Sequence, residues 1–76
     1  MVSPLTSSVK TQRLTGRERD VLTWAARGKT SAEIGIILGL AERTINFHFD
    51  RAAKRLDATN RTQAVAKAVA NLLIEF

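Results

Sequence analysis

The sequence predicts an all-α fold, a four-helix bundle domain that follows a flexible N-terminal arm. Two capping-box motifs, T-G-R-E and T-S-A-E, indicate helix starts, because a hydroxyl and a carboxylate satisfy free backbone N–H groups there. Gly28 and Gly39 follow the two helices, and glycine commonly ends a helix in the left-handed conformation. No segment alternates apolar and polar residues as a strand does, so no sheet is expected.

Length and composition exclude several classes of function. The 76 residues suffice for one domain, and the absence of cysteine excludes disulfides, thiol catalysis and zinc–thiolate sites. A single histidine, His48, makes a metal site improbable, and no cofactor is expected. Apolar runs are far shorter than the about 20 residues of a membrane span, and no export signal is present, so a cytoplasmic protein is expected. The net charge of +5 favours a polyanionic partner.

Proline, glycine and capping residues set the expected boundaries of the arm, the domain and the helices. Residues 1–13 hold the only proline and no helical stripe, which indicates an arm or linker before a domain over residues 14–76. The four helices are expected between Thr15 and Gly28, between Thr30 and Gly39, from about Glu42 to Leu56, and from the cap Asn60 to Ile74.

Apolar residues at helical spacing predict the core. Gly35 is expected where a neighbouring helix crosses closely, since a side chain there would hold the two apart. The predicted core positions are Val21, Leu22, Ala25 and Ala26, then Ile34, Ile37 and Leu38, then Ile45, Phe49, Ala52 and Leu56, and finally Val65, Ala68, Val69 and Leu72.

The segment from Ser31 to Leu56 has the plan of a helix-turn-helix: a short helix, a tight turn and a longer helix. Opposite its core stripe the longer helix carries guanidinium, carboxamide, aromatic, carboxylate and ammonium groups. Such groups read base edges and hold phosphates in a major groove. The predicted base-reading residues on this helix, at about 42–56, are Arg43, Asn46, Phe47 and Asp50.

Each of these assignments has a simpler alternative. If Asn46 does not contact a base, it is an ordinary solvated polar residue. If Phe47 does not contact a thymine methyl, it packs under the N-terminal arm. Trp24 either donates to a phosphate or covers the core, and His48 is expected at the core boundary. The predicted phosphate-contacting residues are Trp24, Lys29, Thr30, Thr44, Arg51, Lys54, Arg55 and Arg61.

The last predicted helix is apolar on two sides, and both sides need burial. A second subunit is the simplest cover for the side away from the core, although alanines there also reflect helix propensity. The predicted dimer interface consists of Ala66, Ala70, Leu73 and Ile74.

Three segments resemble the LuxR-type (LuxR/FixJ) DNA-binding domain: L-T-G-R-E-R-D-V-L-T-W-A-A-R-G-K-T-S-A-E-I, R-T-I-N-F-H and N-R-T-Q-A-V-A-K-A. Trp24 and the last segment favour the quorum-sensing branch over the response-regulator branch. The resemblance implies a bacterial transcriptional regulator, not an enzyme. Such a domain dimerises through its last helix and binds double-stranded DNA with a two-fold operator, and RNA polymerase is a further candidate partner.

Members of that family carry a ligand or receiver domain that this sequence lacks, so no small-molecule ligand is expected within the chain. Two residues depart from the family pattern. Ala41 stands where a serine usually caps the reading helix, and the carboxylate of Asp50 would repel phosphates although it can accept from cytosine N4. These departures keep an alternative open, a short relative that pairs with full-length regulators through protein contacts.

Overall fold

The structure is a computed structural model that describes residues 13–75. It contains four α-helices and no strand within that range: α1 (Gly16–Ala26), α2 (Ser31–Leu38), α3 (Glu42–Arg55) and α4 (Arg61–Ala70). The predicted all-α fold is thereby confirmed. Apart from Arg13, the predicted arm lies outside the described residues. None of the helices between residues 13 and 75 is long and apolar enough to cross a membrane.

Both predicted capping boxes are present. In α1 the Thr15 hydroxyl accepts from the Glu18 N–H at 3.1 Å, and the Glu18 carboxylate accepts from the Thr15 N–H at 3.0 Å. Thr30 and Glu33 make the same exchange at the start of α2, at 3.1 and 2.9 Å. Hydrogen bonds from Thr30 lower the pKa of the Glu33 carboxyl, because they stabilise its charged form.

Helix α3 forms the centre of the domain and packs against all three other helices. Its predicted stripe is confirmed, since Ile45, Phe49, Ala52 and Leu56 are all buried. Val21 and Leu22 of α1 and Ile34 of α2 are fully buried against them. The opposite side of α3 is therefore left to solvent.

The buried face of α2 differs from the prediction at Ile37, which is 42% exposed. The packed face runs through Ser31, Ile34, Gly35 and Leu38, at the i, i+3, i+4 and i+7 spacing of one helix side. Ile37 falls beside this stripe, so its apolar character does not place it in the core.

Gly35 lies against the turn rather than against a crossing helix. A Cβ atom at this position would stand 2.6 Å from the carbonyl oxygen of Leu40. The Leu40 N–H also donates to the Gly35 carbonyl at 2.8 Å, and Gly39 takes the left-handed conformation with φ of 72°. Gly35 therefore allows the turn to fold back closely on α2.

The fourth helix is shorter than predicted and ends at Ala70 instead of Ile74. The Asn71 side chain donates to the Lys67 carbonyl at 2.9 Å, and Leu72 turns the chain with φ of 58°. Leu72, a predicted core residue, is consequently 89% exposed. Ala64 takes a core position with Ala68, both fully buried, while Val65 and Val69 are half-buried.

Candidate nucleic-acid interface

The solvent-facing side of α3 presents a mixed polar, charged and aromatic surface. Arg43, Phe47, Asp50 and Lys54 are all exposed, and their spacing places them on one side of the helix. Phe47 is 54% exposed, an unusual position for an aromatic ring. The guanidinium carbon of Arg51 lies 5.7 Å from the centre of this ring. This side of α3 therefore offers an apolar group among cationic groups.

Ala41 is the N-cap residue of α3 and supplies no side-chain hydrogen bond to the helix start. Helix α3 is thus the only one of the four described helices without a side-chain cap. Its first turn holds Glu42 and its last turn holds Lys54 and Arg55, which matches the sign of the helix dipole at each end. The first residues of α3 lie close to Gly35, where an added Cβ atom would stand 3.6 Å from the backbone nitrogen of Glu42.

Asn46 is half-buried and makes two hydrogen bonds to other helices. Its Oδ1 accepts from the Ser31 hydroxyl at 2.7 Å and from Nη2 of Arg61 at 2.8 Å. The carboxamide is therefore held in place between the first residue of α2 and the first residue of α4, rather than freely solvated.

Arg61 is exposed and is held on two sides. Its guanidinium carbon lies 3.8 Å above the ring centre of Phe49, a cation–π distance, while Nη2 donates to Asn46. Arg61 also lines a shallow surface groove together with Lys29. Two predicted phosphate-contacting residues are thus brought together in a groove between the end of α1 and the start of α4.

Arg55 has a partner that the sequence did not indicate. Its Nε lies 2.8 and 3.0 Å from the two oxygens of the Glu18 carboxylate, and Glu18 is 3% exposed. An arginine that balances a buried carboxylate is primarily a structural residue. Arg55 therefore joins α1 to α3 through Nε, and its phosphate contact stays a prediction, because the side chain is 37% exposed.

The other predicted phosphate-contacting residues occupy varied positions. Lys29, Arg51 and Lys54 are exposed, whereas Thr44 is half-buried. Thr30 is exposed, and its hydroxyl oxygen accepts from the Glu33 N–H as the cap of α2. Trp24 is half-buried against the core, with the guanidinium carbon of Arg27 5.0 Å from its ring centre.

The predicted dimer surface is only partly exposed. Ala66 and Ala70 are exposed on α4, and Leu73 is half-buried. Ile74 does not lie on this surface as predicted, because it is 6% exposed and belongs to the core of its own chain. The chain reverses after Ala70, and Arg19 donates to the Leu73 carbonyl at 3.2 Å, which brings the segment back onto α1.

Sequence reasoning missed Ser31 and Lys67. The sequence pattern indicates no contact for the Ser31 side chain, yet this residue is buried and its hydroxyl donates to Asn46. Lys67 donates to the carbonyls of Leu56 and Asp57 at 3.3 and 2.6 Å and so closes the end of α3. No local pattern connects residues this far apart in the chain.

The chain is similar to bacterial regulators of transcription. The model of the luxR family of bacterial regulatory proteins matches residues 12–68. RpaR of Rhodopseudomonas palustris, a quorum sensing-dependent transcriptional regulator, is 56% identical over 61 residues, which cover 80% of this chain and 25% of RpaR. The transcriptional activator SolR of Ralstonia solanacearum is also 56% identical over 61 residues, covering 80% of this chain and 26% of SolR.

Two solved structures share the fold. Escherichia coli SdiA matches with a TM-score of 0.80 at 43% identity, over 86% of this chain and 27% of SdiA. The transcription factor GerE matches with a TM-score of 0.77 at 27% identity, over 82% of this chain and 92% of GerE. The chain thus spans about a quarter of the length of RpaR, SolR and SdiA and most of the length of GerE.

Proposed function

Because the chain belongs to the luxR family of bacterial regulatory proteins, as a helix-turn-helix DNA-binding domain and not an enzyme, we propose that α3 reads base sequence in the major groove of DNA. The observation that carries this proposal is the exposed side of α3, where Phe47 is 54% exposed among Arg43, Arg51 and Lys54. A ring that is more than half exposed is suited to the methyl group of thymine.

The remaining side chains on this surface have complementary roles. Arg43 has the bidentate donor geometry that suits guanine O6 and N7. Asp50 can accept from the N4 amino group of cytosine, and its charge opposes contact with any neighbouring phosphate. Asp50 is therefore proposed as a residue that selects sequence at some loss of general affinity.

Cationic groups around α3 are proposed to hold the phosphate backbone. Lys29 and Arg61 line one groove between the end of α1 and the start of α4, and Arg51 and Lys54 are exposed on α3. Neutralising phosphates with such groups releases condensed counterions, which adds affinity without adding sequence preference.

We further propose that the domain acts as a homodimer on a two-fold operator. Ala66 and Ala70 lie exposed one turn apart on α4, and small side chains permit close approach of two helices. In such a dimer the two copies of α3 should stand about 34–36 Å apart, one helical turn of DNA. Leu73, half-buried beside them, would form the edge of this contact.

The biological setting is proposed by analogy with the similar proteins. RpaR is quorum sensing-dependent and SolR is a transcriptional activator, so the chain would be the output domain of a quorum-type regulator in the bacterial cytoplasm. RNA polymerase is then a candidate partner. The response-regulator setting and action through protein pairing alone are the competing assignments.

The test of the proposed reading helix compares two cationic residues on α3. Arg43→Ala should cost about 1–3 kcal/mol on the preferred sequence and relax the choice of base at one position. Lys54→Ala should weaken binding to all sequences alike. It should also reduce the steepness of the plot of log binding constant against log salt concentration by about 1. Both are measured by fluorescence anisotropy on matched and base-substituted duplexes. Uniform losses for Arg43→Ala would remove its base-reading role, and the absence of DNA binding by the unmodified chain would favour protein pairing.

A further inference from the structure

The carboxamide of Asn46 on α3 is hydrogen-bonded to residues of both α2 and α4. An amide oxygen has two lone pairs, and Oδ1 of Asn46 accepts two hydrogen bonds, at 2.7 and 2.8 Å. Its Nδ2 group takes part in no hydrogen bond between residues 13 and 75. We propose that Ser31 and Arg61 lock Asn46 as a hydrogen-bond donor toward DNA, and that it selects guanine. This inference rests on the proposed function of α3.

The orientation of the amide follows from the chemistry of its neighbours. A guanidinium only donates hydrogen bonds, so the Asn46 atom 2.8 Å from Arg61 Nη2 must be the oxygen. The nitrogen then occupies the other branch of the side chain.

The two partners of Asn46 are themselves fixed. Ser31 is 6% exposed at the first position of α2, and Arg61 stacks 3.8 Å above the ring of the buried Phe49. Side chains held by neighbouring elements lose little further entropy when they bind. Ser31 and Arg61 are therefore positioning residues for Asn46, and Arg61 retains donors for a phosphate.

A locked donor reads a different base from a free asparagine. A free asparagine pairs with adenine by accepting from the N6 amino group and donating to N7. With Oδ1 filled, only donation remains. Guanine offers two adjacent acceptors, N7 and O6, whereas adenine places an amino group beside its N7 and cytosine presents only a donor. Thymine offers one acceptor, O4, beside its methyl group. The geometry thus disfavours adenine and cytosine, and the two acceptors of guanine favour it over the single acceptor of thymine.

The decisive variant is Asn46→Asp. A carboxylate keeps the acceptors that Ser31 and Arg61 require but removes the NH₂ donor, so the contacts between helices persist while the base contact is lost. The 76-residue chain and this variant each select duplexes from a randomised pool, and anisotropy then measures their affinities. We expect the unmodified chain to prefer guanine at one position of each half-site by about 2- to 10-fold, the range of one net hydrogen bond. In Asn46→Asp that preference should disappear or move to cytosine, with the other positions unchanged.

Ser31→Ala tests the positioning role. Removing the hydroxyl frees one lone pair of Oδ1, so adenine should become tolerated at the Asn46 position while thermal unfolding shows a folded domain. The matched control is Thr23→Ala, which removes a hydroxyl that donates to the Arg19 carbonyl at 2.7 Å on α1. Its base preferences should equal those of the unmodified chain.

The outcomes separate this inference from the proposed function. If the unmodified chain shows no base preference, the reading role of α3 fails and this inference fails with it. If the chain shows preferences but Asn46→Asp leaves all of them intact, only the inference fails, and Asn46 is a link between helices. The inference is also overturned if the unmodified chain selects adenine at the Asn46 position and loses affinity when the 6-amino group of that adenine is removed. If the Asn46→Asp variant does not fold, Ser31→Ala provides the test. Tolerance of adenine at the Asn46 position would support the inference, and unchanged base preference would overturn it.

Discussion

Glu18 has two structural roles at the junction of α1 and α3. Its carboxylate closes the capping box by accepting from the Thr15 N–H, and the same group pairs with Arg55 at 2.8 Å. The capping role is evident from the spacing of T-G-R-E. The pairing is not, because 37 residues separate the two partners and only the folded chain brings them together.

Replacing Glu18 by Gln tests the pairing. The amide keeps one acceptor for the Thr15 N–H but loses the charge opposite Arg55, so the free energy of unfolding should fall by about 1–3 kcal/mol. The matched control is Asp20→Asn, which breaks the exposed pair with Arg17 and should cost less than about 1 kcal/mol. Chemical denaturation measures the free energy of unfolding of both variants. An equal decrease in the two variants would show that the buried Glu18 pair stabilises the domain no more than the exposed Asp20 pair does.

At the scale of the elements, turn and cap chemistry determined what could be predicted. Helices α1 and α2 begin where their capping boxes place them, and α4 begins after Asn60, whose side chain accepts from the Gln63 N–H at 2.8 Å. The end of α4 was predicted wrongly because no glycine or proline marks it. Asn71 ends the helix through a side-chain bond to its backbone, which an apolar pattern cannot reveal.

The turn between α2 and α3 depends on the absence of a side chain at Gly35. In Gly35→Ala the new methyl group would stand 2.6 Å from the Leu40 carbonyl oxygen, so the turn must move. Overpacking of this kind costs about 1–3 kcal/mol, which exceeds the helix-propensity gain of at most about 1 kcal/mol. We therefore expect a lower melting temperature. Gly16→Ala is the control, since within residues 13–75 no atom beyond its chain neighbours and the backbone of its own helix lies within 4 Å of its Cβ position. This variant should not lower the melting temperature. A Gly35→Ala protein as stable as the control would contradict the close approach.

At the scale of the whole molecule, the family and the all-α fold are readable from the sequence, whereas the network around α3 is not. Arg43, Phe47, Asp50 and Lys54 are exposed as expected from helical periodicity alone. Periodicity cannot show that Asn46 is tied to two other helices or that Ile74 returns to the core. Both facts depend on where chain segments meet after folding.

Sequence reading by α3 is tested most directly by titrating the 76-residue chain against a palindromic duplex recovered from a randomised pool and against a scrambled duplex, from 50 to 200 mM salt. If this small basic domain reads DNA sequence through α3, it should bind the recovered duplex more tightly, by about 10³-fold or more for a fully specific complex. Affinity for both duplexes should fall steeply as salt rises. Equal affinity for the two duplexes at every salt concentration would show that α3 does not read sequence.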